Sequence, residues 1–310
     1  MITIYKSSPT GLEQLSEVTS GCWVNVIDPT SDDIERLTSQ GIPQDFITYP
    51  LDMDEQARSE REDDGKMLIL IRIPFFQGVN VDIPYITIPL GIILTDQMII
   101  TICRRQNDLI TELISGKKRN LSTGKRIRFV LQLLLQNAGK FLVHLRQINK
   151  MTEDLEDRLQ QSMKNKEVLE LLKYQKSLVY FATALKSNEL LLERLQRTQL
   201  FRLYPDDEDL LEDVITENQQ AIEMVNISSS ILTSMMDAFA SIISNNLNVV
   251  MKFLASVTIL VSLPAIVTGY YGMNVSLPFQ DWNDAWLLIL GVIVLMVGAT
   301  IWLFFRRRWF

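Results

Sequence analysis

Two uncharged apolar runs stand near the end of the chain, Phe253 to Tyr271 and Ala285 to Phe305. A helix rises 1.5 Å per residue and a hydrocarbon core is about 30 Å thick, so each run is long enough to span a bilayer. With no water there to satisfy peptide groups, such a run must be helical. The pattern therefore predicts a transmembrane hairpin. Lys252 precedes the first run, and Arg306, Arg307 and Arg308 follow the second, which puts both basic clusters on one side. The positive-inside rule makes that side the cytoplasm. The loop from Gly272 to Asp284 then faces outward, and both termini are expected in the cytoplasm, with the hairpin in the cell membrane. Nothing before residue 250 reads as another span, and the N-terminal stretch, with Lys6 and no long apolar core, does not read as a signal peptide.

The first 120 residues carry a different rhythm. Apolar stretches of strand length recur at Cys22 to Ile27, Met67 to Phe76, Ile83 to Leu94 and Met98 to Cys103, rich in Ile and punctuated by Pro and Gly. Between the first two, Thr30-Ser31-Asp32-Asp33 supplies a hydroxyl cap and early acids for a short helix that Gly41 closes. From Thr123 onward the period becomes helical, and the clear break is Tyr204-Pro205-Asp206-Asp207, which restarts a helix with acids at its positive end. From Asp206 to Tyr270 no glycine falls before Gly269 and the sole proline is Pro264. One helix over that stretch would be roughly 100 Å long, the length of a stalk. The predicted class is an α+β cytosolic domain, a long helical stalk and a two-helix transmembrane hairpin. Its parts are residues 1–120 (α/β domain), 121–250 (helical domain and stalk), 251–271 (first span), 272–284 (outer loop), 285–305 (second span) and 306–310 (basic tail).

Composition narrows the function. A net charge of −7 argues against nucleic acid, which asks for a basic face. Cys22 and Cys103 sit in strand-like stretches with no CxxC partner, which fits buried thiols in a reducing compartment. His144, the one histidine, lies in a Leu-rich helical stretch with no second soft ligand near it in sequence, so a zinc site is not expected there. The mixed charge run from Asp52 to Lys66 reads as a solvated loop and helix face. There is no glycine-rich phosphate loop and no Ser, His and Asp arrangement, so the chain does not read as an enzyme.

Along the first span, Asn248, Met251, Ala255, Thr258, Ser262, Ala265 and Gly269 form a mostly polar or small stripe, flanked by bulky Phe253, Val257, Leu260, Val261 and Ile266. The residues alone allow two readings: close packing of helices, or a pore wall. No ionisable group lies within either span, which removes proton relays and most ion-coupled mechanisms. Asp237 is the lone charge between Asn226 and Val250, and an acid on an apolar helix needs a partner. Asp281 and Asp284 in the outer loop would concentrate cations by their field, or serve simply as solvated loop acids.

Between the two runs stands Tyr271-Gly272-Met273-Asn274. Gly-Met-Asn at the end of the first of two C-terminal spans, after an aromatic, resembles the signature of the CorA-type magnesium transporters. That resemblance implies a homo-oligomer, a pentamer, in the lipid bilayer that passes Mg²⁺ inward, with Tyr271, Gly272, Met273 and Asn274 as selectivity filter. It turns the stripe into a pore lining, with Met251 and Leu254 as an apolar constriction. It also places Asp237 where family members bind regulatory Mg²⁺ between subunits, with Asp52, Asp54 and Glu55 as the candidates for the second acid, although the family's acid aligns nearer Tyr49. Mg²⁺ is thus both cargo and regulator. Co²⁺, Ni²⁺ or Zn²⁺ as cargo is the alternative within the fold, and a non-transporting membrane-anchored helical assembly is the alternative outside it.

Overall fold

The structure is a computed structural model that describes residues 1–8, 11–115, 121–162, 165–202, 204–279, 282–307 and 309. The chain divides into two compact units, Met1–Met236 and Asp237–Phe310.

The first unit is built on a seven-stranded sheet ordered β2-β1-β3-β7-β6-β5-β4. Its strands are β1 (Ile2–Ser8), β2 (Gly11–Leu15), β3 (Cys22–Ile27), β4 (Arg58–Arg61), β5 (Met67–Phe76), β6 (Tyr85–Leu94) and β7 (Met98–Cys103). All neighbours run antiparallel except β3 and β7. The near-continuous apolar runs of β3, β5, β6 and β7 follow from burial on both faces. On one face Met67, Ile69, Ile71 and Ile73 of β5 pack with residues of the long helices α4 (Arg126–Ser162), α5 (Asn165–Arg197) and the start of α6 (Pro205–Tyr271). On the other, Leu68 of β5 joins Leu37, Phe46 and Ile47 from α1 (Ser31–Ser39) and α2 (Gln44–Thr48). Each fully buried Leu or Ile contributes about 1.5–3 kcal/mol over its exposed state. The remaining helix of this unit, α3 (Asp108–Ile114), is capped by the Asn107 side chain.

Several expectations are met closely. Strands β3, β5 and β7 have the bounds read from the sequence, and β6 begins at Tyr85 rather than Ile83 because the chain before it closes a loop in which Gln77 N–H donates to Pro84 O (2.8 Å). Thr30 caps α1 in a full capping box with Asp33, and Gly41 takes φ +83° just beyond the helix, a conformation glycine adopts without strain. Both cysteines are free and buried at opposite ends of the β3–β7 pair, and burial pushes the Cys103 thiol up to about 11. His144 lies on α4 against Gln147 (3.0 Å) and the rings of Tyr85 and Phe181. One expectation fails. The run from Asp52 to Lys66 holds no helix face; it contains β4, an edge strand pairing with Met67 to Leu70 of β5. Its charges suit an exposed edge, which they protect from pairing with other chains.

In the second unit, α6 continues to Tyr271 and α7 spans Ala285–Arg306, and both helices are long and apolar enough to cross a membrane. Between residues 253 and 305, Ser256 and Phe304 alone are buried among the described residues. The bulky side chains of both helices therefore face outward from the single chain, as suits lipid or further copies of it.

Candidate functional site

The stripe read from the sequence lies on one continuous helix. At 100° per residue, Asn248, Met251, Leu254, Ala255, Thr258, Ser262, Ala265 and Gly269 fall within an arc of about 120° on α6. Along it, the hydroxyls of Thr258 and Ser262 donate to the helix's own carbonyls, Leu254 O (2.8 Å) and Ile259 O (2.9 Å). Their donor capacity is spent, so they offer acceptor lone pairs outward. That is the polarity a hydrated cation needs, because its coordinated waters present hydrogens. Pro264 sits in the same stretch and leaves the carbonyl one turn before it without a helical N–H partner.

The helix ends at the motif. Gly272 N–H donates to Thr268 O (2.9 Å) and Met273 N–H to Tyr270 O (3.3 Å), a closing turn that does not use a left-handed glycine. A Cβ on Gly272 would stand 3.2 Å from Thr268 O, so a side chain there presses on the last turn of the span. Met273 and Asn274 follow as exposed residues of the loop. Asp284 is the N-cap position of α7, exposed and without a side-chain capping bond. Asp281 and Arg308 lie outside the described residues.

The regulatory candidates fall in different surroundings. Asp237 is exposed on α6. Asp52 and Asp54 are exposed in the turn that follows a 3-10 helix, Tyr49–Leu51, and Asp52 Oδ1 accepts from Asp54 N–H (3.0 Å). The next acid, Glu55, is taken up by Arg58, whose guanidinium also stacks over the Tyr49 ring at 4.5 Å. Among the described residues no group of three or more His, Cys, Asp or Glu gathers to hold a metal. Two carboxylates fit a Mg²⁺ that keeps most of its water, which is how this ion is usually held.

Beneath that turn lies a feature absent from the sequence expectations. Arg72, the one charged residue of β5, is buried. Its Nη1 donates to Met53 O (2.7 Å) and Glu55 O (2.9 Å), and its Nη2 to Thr87 O (2.6 Å) and Thr87 Oγ1 (2.9 Å). The backbone of Arg72 extends past the end of β4, and side-chain amides take the place of a neighbouring strand. Asn188 accepts from Arg72 N–H (2.9 Å), while Arg72 O accepts from Asn188 Nδ2 (2.8 Å) and Asn137 Nδ2 (3.0 Å). Burial pushes the arginine's proton affinity below its ordinary value, and the charge of Asp54 works in the opposite direction. A lone charge inside a ten-residue apolar run was the available signal for this cluster.

A mixed-sheet domain, a 67-residue helix and a second apolar helix of 22 residues define a membrane protein with two spanning helices at its C-terminal end. The chain belongs to the family described as CorA-like Mg²⁺ transporter protein, whose profile matches residues 19–308. The cobalt/magnesium transport protein CorA of Methanocaldococcus jannaschii is 30% identical over 293 residues, 93% of this chain and 90% of that one. The complete structure of the CorA magnesium transporter from the same organism superposes with a TM-score of 0.86 at 26% identity, over 100% of this chain and 99% of that one. The full-length CmaX protein shares the fold at a TM-score of 0.71 and 16% identity, over 99% of this chain and 97% of that one. The protein is thus a CorA-type divalent cation transporter, in a family of transport proteins and not of enzymes.

Proposed function

We propose that the chain assembles as a homopentamer in the cell membrane, with both termini cytoplasmic, and forms a channel for inward flow of Mg²⁺. Residues 251–271 line the pore, 272–284 form the outer loop and 285–305 complete the hairpin. Residues 1–120 and 121–250, the α/β domain with its helical stalk, and the basic tail 306–310 lie in the cytoplasm. The observation that carries this reading is the Tyr271 to Asn274 sequence placed where the uncharged span of α6 ends. Around a symmetric ring, Asn274 side-chain oxygens and Gly272 carbonyls would accept hydrogen bonds from the waters of an ion that dehydrates reluctantly. Tyr271 and Met273 complete the filter, Asp281 and Asp284 concentrate cations at the mouth, and Met251 with Leu254 forms the constriction that closes.

No coupled ion is needed. An inside-negative potential of about 100 mV supplies roughly 4.6 kcal/mol to a divalent ion, twice the value per unit charge. Closure is assigned to Mg²⁺ held by carboxylates on the cytoplasmic side, with Asp237 and the pair Asp52 and Asp54 as ligands. A hydrated site of this kind selects on size and charge, so Co²⁺ and Ni²⁺ compete with Mg²⁺ and soft-metal preference is weak.

The test is divalent cation influx into liposomes that hold the purified protein, with cobalt(III) hexaammine, an analogue of a hydrated ion, as external blocker. Mg²⁺ uptake blocked by that complex supports the reading. Zn²⁺ uptake without Mg²⁺ permeation or competition overturns the assignment of cargo, and absence of any flux leaves a membrane-anchored assembly in its place.

A further inference from the structure

We propose that Arg72 is a positioning residue for the acidic turn, setting the Asp52 and Asp54 carboxylates in the arrangement that receives a hydrated divalent cation. The inference rests on the reading that these carboxylates bind regulatory Mg²⁺.

The geometry is specific. Nη1 of Arg72 holds Met53 O at 2.7 Å and Glu55 O at 2.9 Å, the carbonyls on either side of Asp54, so a single guanidinium brackets that residue's backbone. Asp54 is left exposed between the two fixed points, and its own N–H orients the Asp52 carboxylate through a 3.0 Å bond. The other arm of the fork is anchored on Thr87, and the arginine backbone is locked to α4 and α5 through Asn137 and Asn188. Ala57 N–H, just past the turn, donates to Ser187 Oγ (2.9 Å), beside Asn188 on α5. The turn is therefore gripped from both sides by groups that do not themselves face the cation.

The choice of an arginine is otherwise hard to account for. Every hydrogen bond its guanidinium makes goes to a neutral oxygen, and burying a charge in a sheet core without an ion pair is costly. An apolar residue would serve packing better. A planar fork of five donors, by contrast, can hold three carbonyls and a hydroxyl at once, which lysine cannot do. The charge of Asp54 favours the protonated form of the arginine, partly offsetting the cost of its burial.

The experiment measures Mg²⁺ flux through full-length protein in liposomes as internal Mg²⁺ is raised. Arg72→Lys keeps the charge and loses the fork, and it is expected to raise the Mg²⁺ concentration for half-closure about tenfold, the scale of a lost charged hydrogen bond. Asp54→Asn should raise it as well. If Arg72 acts through the two carboxylates, adding Arg72→Lys to the combined Asp52→Asn and Asp54→Asn variant shifts the midpoint no further, whereas a merely structural arginine gives shifts that multiply. Thr87→Val, which removes one acceptor of the fork without changing its shape, supplies the reading should Arg72→Lys fail to assemble; it is expected to shift the midpoint in the same direction. A wild-type midpoint in the assembled variant, or multiplying shifts, overturns the inference while leaving regulation at Asp54 intact. A wild-type midpoint in Asp54→Asn overturns that regulatory reading and this inference with it.

Discussion

Gly91 of β6 and Pro50 meet so closely that a methyl group on position 91 would stand 2.2 Å from Pro50 Cγ and 3.0 Å from its Cβ. No side chain fits there unless the turn that carries Pro50 moves off the sheet. Gly91→Ala is expected to cost about 1–3 kcal/mol, the usual range for forcing an extra group into a packed core. Thermal unfolding of the detergent-solubilised protein measures this. Because Pro50 leads directly into the acidic turn, the same variant should also blunt the Mg²⁺ dependence of closure. Wild-type stability would mean that the contact relaxes freely.

Asn274→Ala and Gly272→Ala are expected to abolish Mg²⁺ uptake with the oligomer still assembled. The first would remove the amide oxygens of the proposed ring, and the second places a Cβ 3.2 Å from Thr268 O at the end of the span. Flux and size-exclusion profiles of the reconstituted variants decide the matter, and uptake at the wild-type rate in Asn274→Ala sinks the filter assignment.

Mg²⁺ is expected to protect the wild type from proteolysis, and Asp237→Ala to weaken that protection and to keep uptake high as internal Mg²⁺ rises. In the proposed regulation a divalent ion stabilises this carboxylate on its otherwise uncharged stretch, so removing the carboxylate would release the protein from its closed state. An unchanged Mg²⁺ response in both assays would make Asp237 an ordinary solvated residue.

His144 predicts an acid-sensitive N-terminal unit. Burial, aided by nearby Lys140, holds its pKa below the ordinary 6.5 despite the Gln147 hydrogen bond. The unfolded chain therefore binds the proton more readily, so the stability from the neutral ring is intact above pH 6.5 and is lost as pH falls below it. Melting temperature recorded between pH 7.5 and 5.5 should drop, and His144→Gln should flatten that drop. A parallel pH profile in the variant would place the sensitivity elsewhere.

Much of the architecture could be read from local pattern, because the central strands are apolar on both faces and the spans carry no charge. Strands β1, β2 and β4 escaped it for the opposite reason. They lie toward the sheet margins, and β4 in particular is four residues, Arg58 to Arg61, whose charges mask a strand set only by pairing with β5. The Tyr271 to Asn274 motif was legible because its position between two apolar runs is itself a sequence property. The Arg72 cluster was not, since its partners come from positions 53, 55, 87, 137 and 188 and meet only in three dimensions. Asp52 and Asp54 were readable as acids, but which of the neighbouring carboxylates stays free depended on Arg58 capturing Glu55.

Every strand of the sheet, including the parallel β3–β7 pair that joins residues 22–27 to 98–103, is complete by Cys103, while the first membrane-crossing run begins at Phe253. A ribosome adding about 5–20 residues per second takes roughly 8–30 s to cover the interval, ample time for the sheet to pair. The chain's linear order thus lets the sheet form before any apolar span reaches the insertion machinery, sparing the nascent protein a competition between its own strands and its membrane helices. Protease resistance of ribosome-bound chains halted ahead of Phe253 would reveal that early folding directly.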